Sequence, residues 1–200
     1  MNSSFQGAVL FMYAVMMFLI TSCERKTVHH DAEKSISILL PDANGKEYQI
    51  LGRASEVKAT VVVFLMTDCP IANAMLPDLN DMAARYGAQG ISFYGIFAGE
   101  QPDKILDHIK HYQITFPCLL DDECLVAKLC GATRVPEAAI FDSDGMPIYC
   151  GRIDDRAVKT GRMKPYPAER NLADALDALL KNRKLPPAKQ VTAGCYLPLD

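Results

Sequence analysis

The sequence lacks the features that mark several other classes of protein. It contains no internal repeat and no low-complexity tract, and its 200 residues suit one domain with a proper hydrophobic core plus a leader. The formal net charge is −3 and no stripe of basic residues is present, so we expect no nucleic acid among its partners. No apolar run is long enough to span a bilayer comfortably.

The N-terminal segment resembles an export signal. The unbroken apolar run Ala8–Ile20 precedes the first charged residue, and Thr21-Ser22-Cys23 completes a segment that resembles a bacterial lipobox. We therefore expect residues 1–22 to be a lipoprotein signal peptide and residues 23–34 to be a tether. Lipidation of Cys23 would anchor the protein to a membrane, on the extracytoplasmic side.

The distribution of basic residues supports a different orientation. No lysine or arginine precedes the apolar run, whereas Arg25-Lys26 lie just after it. Under the positive-inside tendency, an uncleaved segment of this kind would leave the domain facing the cytoplasm. We favour export, because the length of the run, the small residue Ser22 and Cys23 agree with each other.

The stretch that begins at Ala59 predicts a buried strand leading directly into a helix. Ala59–Met66 is a continuous apolar run rich in β-branched residues, as in a strand buried on both faces. Cys69 follows, and Pro70 stands where the first turn of a helix tolerates proline. Apolar residues then recur at helical spacing, namely Ile71, Met75, Leu79, Met82 and Ala83. Cys69 is thus expected at the N-cap of a helix.

This position favours a reactive thiolate at Cys69. The backbone N–H groups of Ile71, Ala72 and Asn73 and the positive end of the helix dipole stabilise negative charge there. The thiolate is the form that attacks disulfides and peroxides. The neighbouring Asp68 acts against it by like-charge repulsion. The alternative is an inert cysteine, since free cysteines are among the most buried residues.

The strand, Cys69 and the proline at position 77 resemble the active-site strand and helix of the thioredoxin superfamily. The segment Gly131–Gly145 resembles that superfamily's cis-proline segment and the hairpin after it. The resemblance is strongest to the AhpC/TSA-like redoxins, and among them to a bacterial extracytoplasmic group with the motifs CPI(S/A)N, GRIDDR and a terminal GC. These motifs stand here at Cys69–Asn73, Gly151–Arg156 and Gly194-Cys195.

The resemblance implies a site built from two distant segments. It implies that the Val135–Pro136 bond is cis and faces Cys69, and that the backbone of Val135 is free to pair with a substrate's extended chain. The alternative is a trans proline at a strand edge, because X–Pro bonds are cis in only about 5–6% of cases. Cys69 is then the catalytic nucleophile. The expected substrate-positioning residues are Thr67, Pro70, Val135 and Pro136.

Departures from the family leave the chemistry open. Thioredoxins have a second cysteine three residues after the first, where this chain has Ala72. Peroxiredoxins have a threonine three residues before the peroxidatic cysteine, where this chain has Met66, and Thr67 comes one position late. A peroxidase would also need an arginine beside the thiolate, for which Arg134 and Arg152 are the candidates.

The elements after the tether predict an α/β fold of thioredoxin-like type. A β-hairpin comes first, with Ser35–Leu40 and Lys46–Ile50 around the turn residues Asp42–Gly45. Strands and helices then alternate, which favours a central mixed, mainly parallel sheet flanked by helices. The predicted strands are Ala59–Met66, Ile91–Phe97, Phe116–Leu120, Glu137–Phe141 and Met146–Ile153; the predicted helices are residues 70–86, Pro102–Tyr112, Glu123–Cys130 and Ala168–Lys181.

The C-terminal tail carries the candidate resolving thiol. The domain is expected to span residues 35–183, followed by a tail, residues 184–200. Cys195 lies beyond the last helix and after Pro186-Pro187, where we expect it to be mobile enough to reach another site. A resolving partner for Cys69 and a static or idle thiol remain alternatives for it.

The other cysteines and histidines do not predict a metal site. Cys118 and Cys150 fall in strands and are expected in the core, while Cys124 and Cys130 fall on different faces of a short helix. His108 and His111 share a helical face without a third ligand near them, so they are expected to be solvated. We predict neither a metal nor a cofactor.

These observations favour an extracytoplasmic thiol–disulfide oxidoreductase that uses Cys69. Its partners would be a protein or small-molecule disulfide and an external thiol reductant. The first alternative is a peroxiredoxin-like peroxidase that reduces a hydroperoxide through a sulfenic acid at Cys69. The other is a redox-inert, metal-binding or partner-binding module of the same fold. Copper-delivering relatives place a second cysteine four residues after the first, where this chain has Asn73.

Overall fold

The computed structural model describes residues 36–52, 57–159, 162–188 and 193–199. The predicted signal peptide, the lipidation site Cys23 and the tether lie outside the described residues. Within the described ranges, no helix has both the length and the apolar character needed to cross a membrane.

Short strands and four helices follow one another along the described chain. The strands are β1 (Ile38–Pro41), β2 (Glu47–Leu51), β3 (Ala59–Leu65), β4 (Ile91–Phe97), β5 (Cys118–Leu120), β6 (Arg134–Val135), β7 (Glu137–Asp142), β8 (Pro147–Gly151), β9 (Ala157–Lys159), β10 (Arg162–Met163) and β11 (Cys195–Tyr196). The helices are α1 (Pro70–Gly87), α2 (Pro102–Tyr112), α3 (Leu125–Cys130) and α4 (Asn171–Leu180).

A five-stranded mixed sheet in the order β5-β4-β3-β7-β8 forms the centre of the fold. β3 pairs in parallel with β4, and β4 with β5, while β7 is antiparallel to both β3 and β8. Four of the five strands therefore run in the same direction and β7 runs against them. Together with the flanking helices and the hairpin β1–β2, this confirms the predicted thioredoxin-like α/β fold.

Strand β3 lies at the middle of this sheet because both of its faces are apolar. All seven of its residues are buried, and its neighbours on both sides are buried strands. Gly95 on β4 permits the close packing next to it, since a Cβ there would lie 2.9 Å from Leu65 Cδ1 and 3.2 Å from Cys118 Sγ. The sheet thus holds the carboxyl end of β3, and the loop after it, in a fixed place.

Several elements end earlier or begin later than the sequence predicts. α3 begins at Leu125 rather than at Glu123, because the buried Asp121 carboxylate accepts the N–H groups of Leu125 and Val126 at 2.8 and 2.9 Å. Gly131, with φ of 75°, then ends this helix in the left-handed conformation and turns the chain towards β6.

The prediction that His108 is solvated is wrong. His108 is 6% exposed and lies between the rings of Phe97 and Tyr112, with centroid distances of 5.8 and 4.6 Å. Its Nε2 atom is buried without a hydrogen-bond partner among the described residues. Burial, and then the charge of His111, lower the pKa of His108. His111 is exposed, as expected.

Candidate active site

Cys69 lies where strand β3 passes into helix α1. It is the N-cap residue of α1, with φ of −84° and ψ of 104°, and Pro70 occupies the first helical turn. The N–H of Asn73 donates to the Cys69 carbonyl at 3.0 Å and closes that turn, so this N–H is not free as the sequence suggested. Cys69 itself is fully buried. A thiol at this position faces the positive end of an 18-residue helix.

The loop that presents Cys69 is held by two polar side chains. The Thr67 N–H donates to the Glu100 carboxylate at 2.9 Å, and the Asn73 amide donates to the Thr67 carbonyl at 3.0 Å. Thr67, predicted to position substrate, therefore contributes two backbone contacts to the loop. Sequence reasoning missed Glu100, although it follows β4 at the same sheet edge where β3 ends.

The cis-proline segment faces Cys69, as the resemblance implies. The Val135–Pro136 peptide bond is cis. The Cys69 thiol donates to the Val135 carbonyl, with a sulfur–oxygen distance of 3.7 Å. The structure thus brings together Cys69, Val135 and Pro136 from segments far apart in the chain.

Cys195 also belongs to this site. Strand β11 pairs antiparallel with β6, placing Cys195 opposite Val135 and Tyr196 opposite Arg134. This register brings the Cys195 side chain next to that of Cys69, close enough for the two to interact. Burial, the interaction with Cys69, and the negative charges of Cys69 and Asp68 raise the pKa of Cys195 to about 11.

The expectation of a mobile tail is wrong for residues 193–199. The Leu197 N–H donates to the Thr133 carbonyl at 3.0 Å, and the Leu197 side chain is only 7% exposed. The Cys124 thiol donates to the Pro198 carbonyl at 3.0 Å. The backbone of Val135, expected to be free for a substrate, is paired with the chain's own C-terminal strand.

An unpredicted buried carboxylate fixes the strand that β11 pairs with. Glu137 is 2% exposed, and its Oε2 accepts the N–H groups of Thr133 and Arg134 at 2.9 and 3.2 Å. Its position directly after Pro136 gave no signal of this role, because the bonds form only when the segment turns back on itself. Glu137 thereby orients the residues that precede the cis-proline.

Neither candidate arginine is in contact with Cys69 among the described residues. The Arg134 guanidinium lies 4.2 Å from the centre of the Tyr196 ring and donates to the Tyr196 hydroxyl at 2.6 Å. Arg152 donates to Asn171 and to Glu169, both at 2.8 Å. Both guanidinium groups are therefore engaged by other side chains.

The GRIDDR segment forms ion pairs instead of contacts with the thiol. Arg156 pairs with Asp154 at 2.7 Å and with Asp78 of α1. Asp155 accepts from Lys164 and from the Glu169 N–H, and these contacts lower its pKa. The segment holds helix α1 and the chain before α4 together on one side of the site.

Comparison with known proteins identifies the family. The AhpC/TSA family profile matches residues 32–147, more than half of the chain. The chain belongs to the AhpC/TSA family. The match includes β1 to β7 and Cys69, and it ends before Cys195.

Three relatives show what this AhpC/TSA protein is similar to. Thiol-disulfide oxidoreductase ResA of Halalkalibacterium halodurans is 21% identical over 129 residues, which cover 64% of this chain and 72% of ResA. The crystal structure of a hypothetical protein of Sinorhizobium meliloti matches with a TM-score of 0.69 and 26% identity, over 84% of this chain and 93% of that one. A secreted disulfide oxidoreductase of Mycobacterium tuberculosis shares the fold, with a TM-score of 0.50 and 18% identity over 76% and 99% of the chains.

The AhpC/TSA protein contains a second pair of thiols that the sequence did not predict. Cys150, expected in the core, is half-buried, and its thiol interacts with that of Cys130 at the end of α3. This interaction lowers the pKa of Cys130 and raises that of Cys150. Cys118 is buried as expected, and burial raises its pKa to about 12. Within the described ranges, no three side chains of metal-binding type come together.

Proposed function

We propose that this AhpC/TSA protein is a thiol–disulfide oxidoreductase in which Cys69 is the nucleophile and Cys195 the resolving thiol. The observation that carries the proposal is the pairing of β11 with β6, which sets Cys195 opposite Val135, whose carbonyl accepts from the Cys69 thiol at the N-terminus of α1. A thiolate there is the attacking form, and a second thiol in contact with it makes release intramolecular. The names of the ResA and Mycobacterium relatives support the same chemistry.

The reaction uses two exchange steps. The Cys69 thiolate attacks one sulfur of the substrate disulfide, so the substrate S–S bond breaks, a Cys69–substrate disulfide forms, and a first substrate thiolate leaves. The Cys195 thiol then loses its proton to solvent and attacks the Cys69 sulfur, releasing the second substrate thiolate. The substrate gains two electrons, and Cys69 and Cys195 become a disulfide that an external dithiol reduces.

The pKa of Cys195 supports this order of steps. Burial raises that pKa most, and the interaction with Cys69 and the charge on Cys69 raise it further. When Cys69 enters a mixed disulfide it has no negative charge, so both contributions from Cys69 disappear and the Cys195 thiol ionises more easily. Cys195 is therefore held inactive until Cys69 has reacted.

The position of the arginines favours a disulfide over a hydroperoxide as the substrate. Arg134 is engaged by Tyr196 and Arg152 by Asn171 and Glu169, so neither neutralises the charge that develops on a peroxide oxygen next to Cys69. Met66 also stands where the peroxidase threonine is expected. A thiol peroxidase is the second candidate, because the chain belongs to the AhpC/TSA family.

Stopped-flow kinetics with the reduced chain would separate these functions. A small aromatic disulfide should consume Cys69 about tenfold or more faster than hydrogen peroxide does, and Cys69→Ser should remove the fast phase. Cys130→Ser, which changes a thiol outside the site, is the matched control and should keep it. Faster reaction with peroxide, with a sulfenic acid trapped at Cys69, would establish the peroxidase. Slow reaction with both would leave a binding module.

We further propose that the protein is extracytoplasmic and anchored through lipid on Cys23. The support is the apolar run before Ser22-Cys23 and the secreted relative of the same fold. Metabolic labelling with a fatty acid should modify the wild-type chain and leave Cys23→Ala unlabelled. Label on both chains, or an unprocessed N-terminus in the cytoplasm, would contradict the anchor.

A further inference from the structure

The C-terminal strand occupies the edge at which a substrate would bind. β11 lies antiparallel on Arg134–Val135, and its cysteine contacts the Cys69 sulfur. A protein substrate attacked by Cys69 must bring its own cysteine to the same point. The segment Cys195–Leu197 is therefore an example, within this chain, of a strand that the site can bind.

We propose that the site selects extended peptide segments with the pattern cysteine–aromatic–aliphatic, bound as a strand on Arg134–Val135 in place of β11. Arg134 is the residue that selects the aromatic side chain. This proposal rests on the proposed function, because it assigns a substrate class to the Cys69 site. It also makes β11 a competitor of the substrate.

The contact between Arg134 and Tyr196 is the evidence for the aromatic residue in this pattern. The guanidinium stacks on the ring at 4.2 Å and donates to the hydroxyl at 2.6 Å. Tyr196 is 69% exposed, so burial of apolar surface contributes little to holding its ring in place. The two residues are directly opposite in the register, where cross-strand side chains interact most strongly. An aromatic residue after a substrate cysteine would find the same partner.

Leu197, the next residue, is the evidence for the aliphatic residue in this pattern. Leu197 is 7% exposed, and its N–H donates to the Thr133 carbonyl at 3.0 Å. Thr133 is itself held by the Glu137 carboxylate, so the carbonyl that receives this bond is fixed. A substrate with a polar residue two positions after its cysteine would bury that polar group without a partner.

Competition between β11 and a substrate strand links resolution to product release. Both require the edge of Arg134–Val135, so a bound protein substrate displaces β11 and takes Cys195 away from Cys69. When β11 returns, it removes the substrate strand and places the Cys195 thiol against the Cys69 sulfur. The attack that breaks the mixed disulfide then accompanies departure of the product.

Peptide disulfides of defined sequence test the selection. The probe is the heptapeptide Ala-Gly-Cys-Tyr-Leu-Pro-Leu, the sequence of residues 193–199, joined through its cysteine to 2-nitro-5-thiobenzoate, which absorbs when Cys69 releases it. The protein is the full chain carrying Cys195→Ser and Tyr196→Ala, so that its own strand competes weakly. We expect the tyrosine peptide to react about tenfold faster than the same peptide with alanine after its cysteine, because ring stacking and the hydroxyl bond are both lost.

Variants of Arg134 distinguish selection from general reactivity. Adding Arg134→Ala should bring the ratio of the two rates to about 1, and Arg134→Lys should restore part of it. A small aliphatic disulfide, which has neither a peptide nor a ring, measures the basal reactivity of each chain, and the peptide rates are divided by that value. The proposed selection would be contradicted if the two peptide rates were nearly equal in the chain that retains Arg134. It would also be contradicted if the tyrosine peptide remained about tenfold faster in Arg134→Ala. Failure of every chain to react even with the small disulfide would instead overturn the proposed function.

Discussion

Cys195 lies opposite Val135, the residue whose carbonyl accepts from the Cys69 thiol, although Cys195 comes from the last described segment of the chain. The two meet because a two-residue strand, Cys195–Tyr196, pairs with the residues that precede the cis-proline. Where thioredoxins have their second cysteine, this chain has Ala72 on helix α1. A thiol from the C-terminal segment lies beside Cys69 instead.

Removal of the Cys195 thiol should stop resolution and spare the first attack. In Cys195→Ser the mixed disulfide of Cys69 with a small disulfide should accumulate, because no thiol lies next to it. The wild-type chain should release both halves of the substrate. Mass spectrometry of the intact protein measures the adduct; equal adduct in both chains would show that Cys195 does not resolve.

In the wild-type chain the rate of the second step should depend on pH. The pKa of Cys195 is raised to about 11 while Cys69 is charged, and it falls once Cys69 is in a mixed disulfide. The release of the second thiol should therefore rise with pH and level off below pH 11. Rapid mixing followed by acid quench measures it. A rate that continues to rise up to pH 11 would contradict the coupling.

Loss of the Glu137 carboxylate should destabilise the fold. Glu137→Ala leaves the N–H groups of Thr133 and Arg134 without their acceptor, which we expect to cost about 2–4 kcal/mol in the free energy of unfolding. Glu137→Gln keeps an acceptor oxygen and should cost about 1 kcal/mol. Urea unfolding measures both. Equal, small losses in the two variants would show that the bonds contribute little.

Cys130 should be alkylated before Cys150. The interaction between them lowers the pKa of Cys130 and raises that of Cys150, so Cys130 becomes a thiolate first as the pH rises. In Cys150→Ala the interaction is lost, the pKa of Cys130 rises and its alkylation at neutral pH slows. Peptide mapping after brief iodoacetamide treatment measures this, with the buried Cys118 as an internal control that should stay unmodified. Faster labelling of Cys150 would contradict the assignment.

Stability should decrease in mild acid because of His108. Its pKa is lowered from 6.5 in the folded chain, so the unfolded chain binds a proton that the folded chain does not. Stability from this residue is therefore complete above about pH 6.5 and is lost as the pH falls below it. His108→Phe should remove this pH dependence, whereas His111→Gln, at an exposed neighbour, should keep most of it. Urea unfolding between pH 5 and pH 7.5 measures the difference; an unchanged slope in His108→Phe would contradict the assignment.

Local patterns were sufficient to predict the strand and helix around Cys69. A β-branched run and a proline at the first helical turn act within a few residues, so Ala59–Met66 and the helix from Pro70 closely match β3 and α1. The spacing of Ile105 and His108 was also informative, because residues three apart share a helical face. His108 lies on the buried side with Ile105, a result that the apolar pattern alone could have indicated.

Contacts between distant segments could not be predicted in this way. Glu100 and Glu137 act through carboxylates that accept backbone N–H groups, and nothing in the neighbouring sequence marks them. β11 has two residues, too few for any periodicity, and it forms only because β6 offers an unpaired edge. The tail was therefore expected to be mobile, and the place of Cys195 beside Cys69 depends on the folded chain.

Disulfide mapping after limited oxidation tests the central claim most directly. The fully reduced chain is treated with about one equivalent of a small disulfide, quenched with acid, alkylated and digested for mass spectrometry. We predict a single dominant linkage between Cys69 and Cys195, formed within one chain and absent from Cys69→Ser. A dominant linkage between Cys130 and Cys150, or a stable adduct on Cys69 with Cys195 still a free thiol, would contradict it.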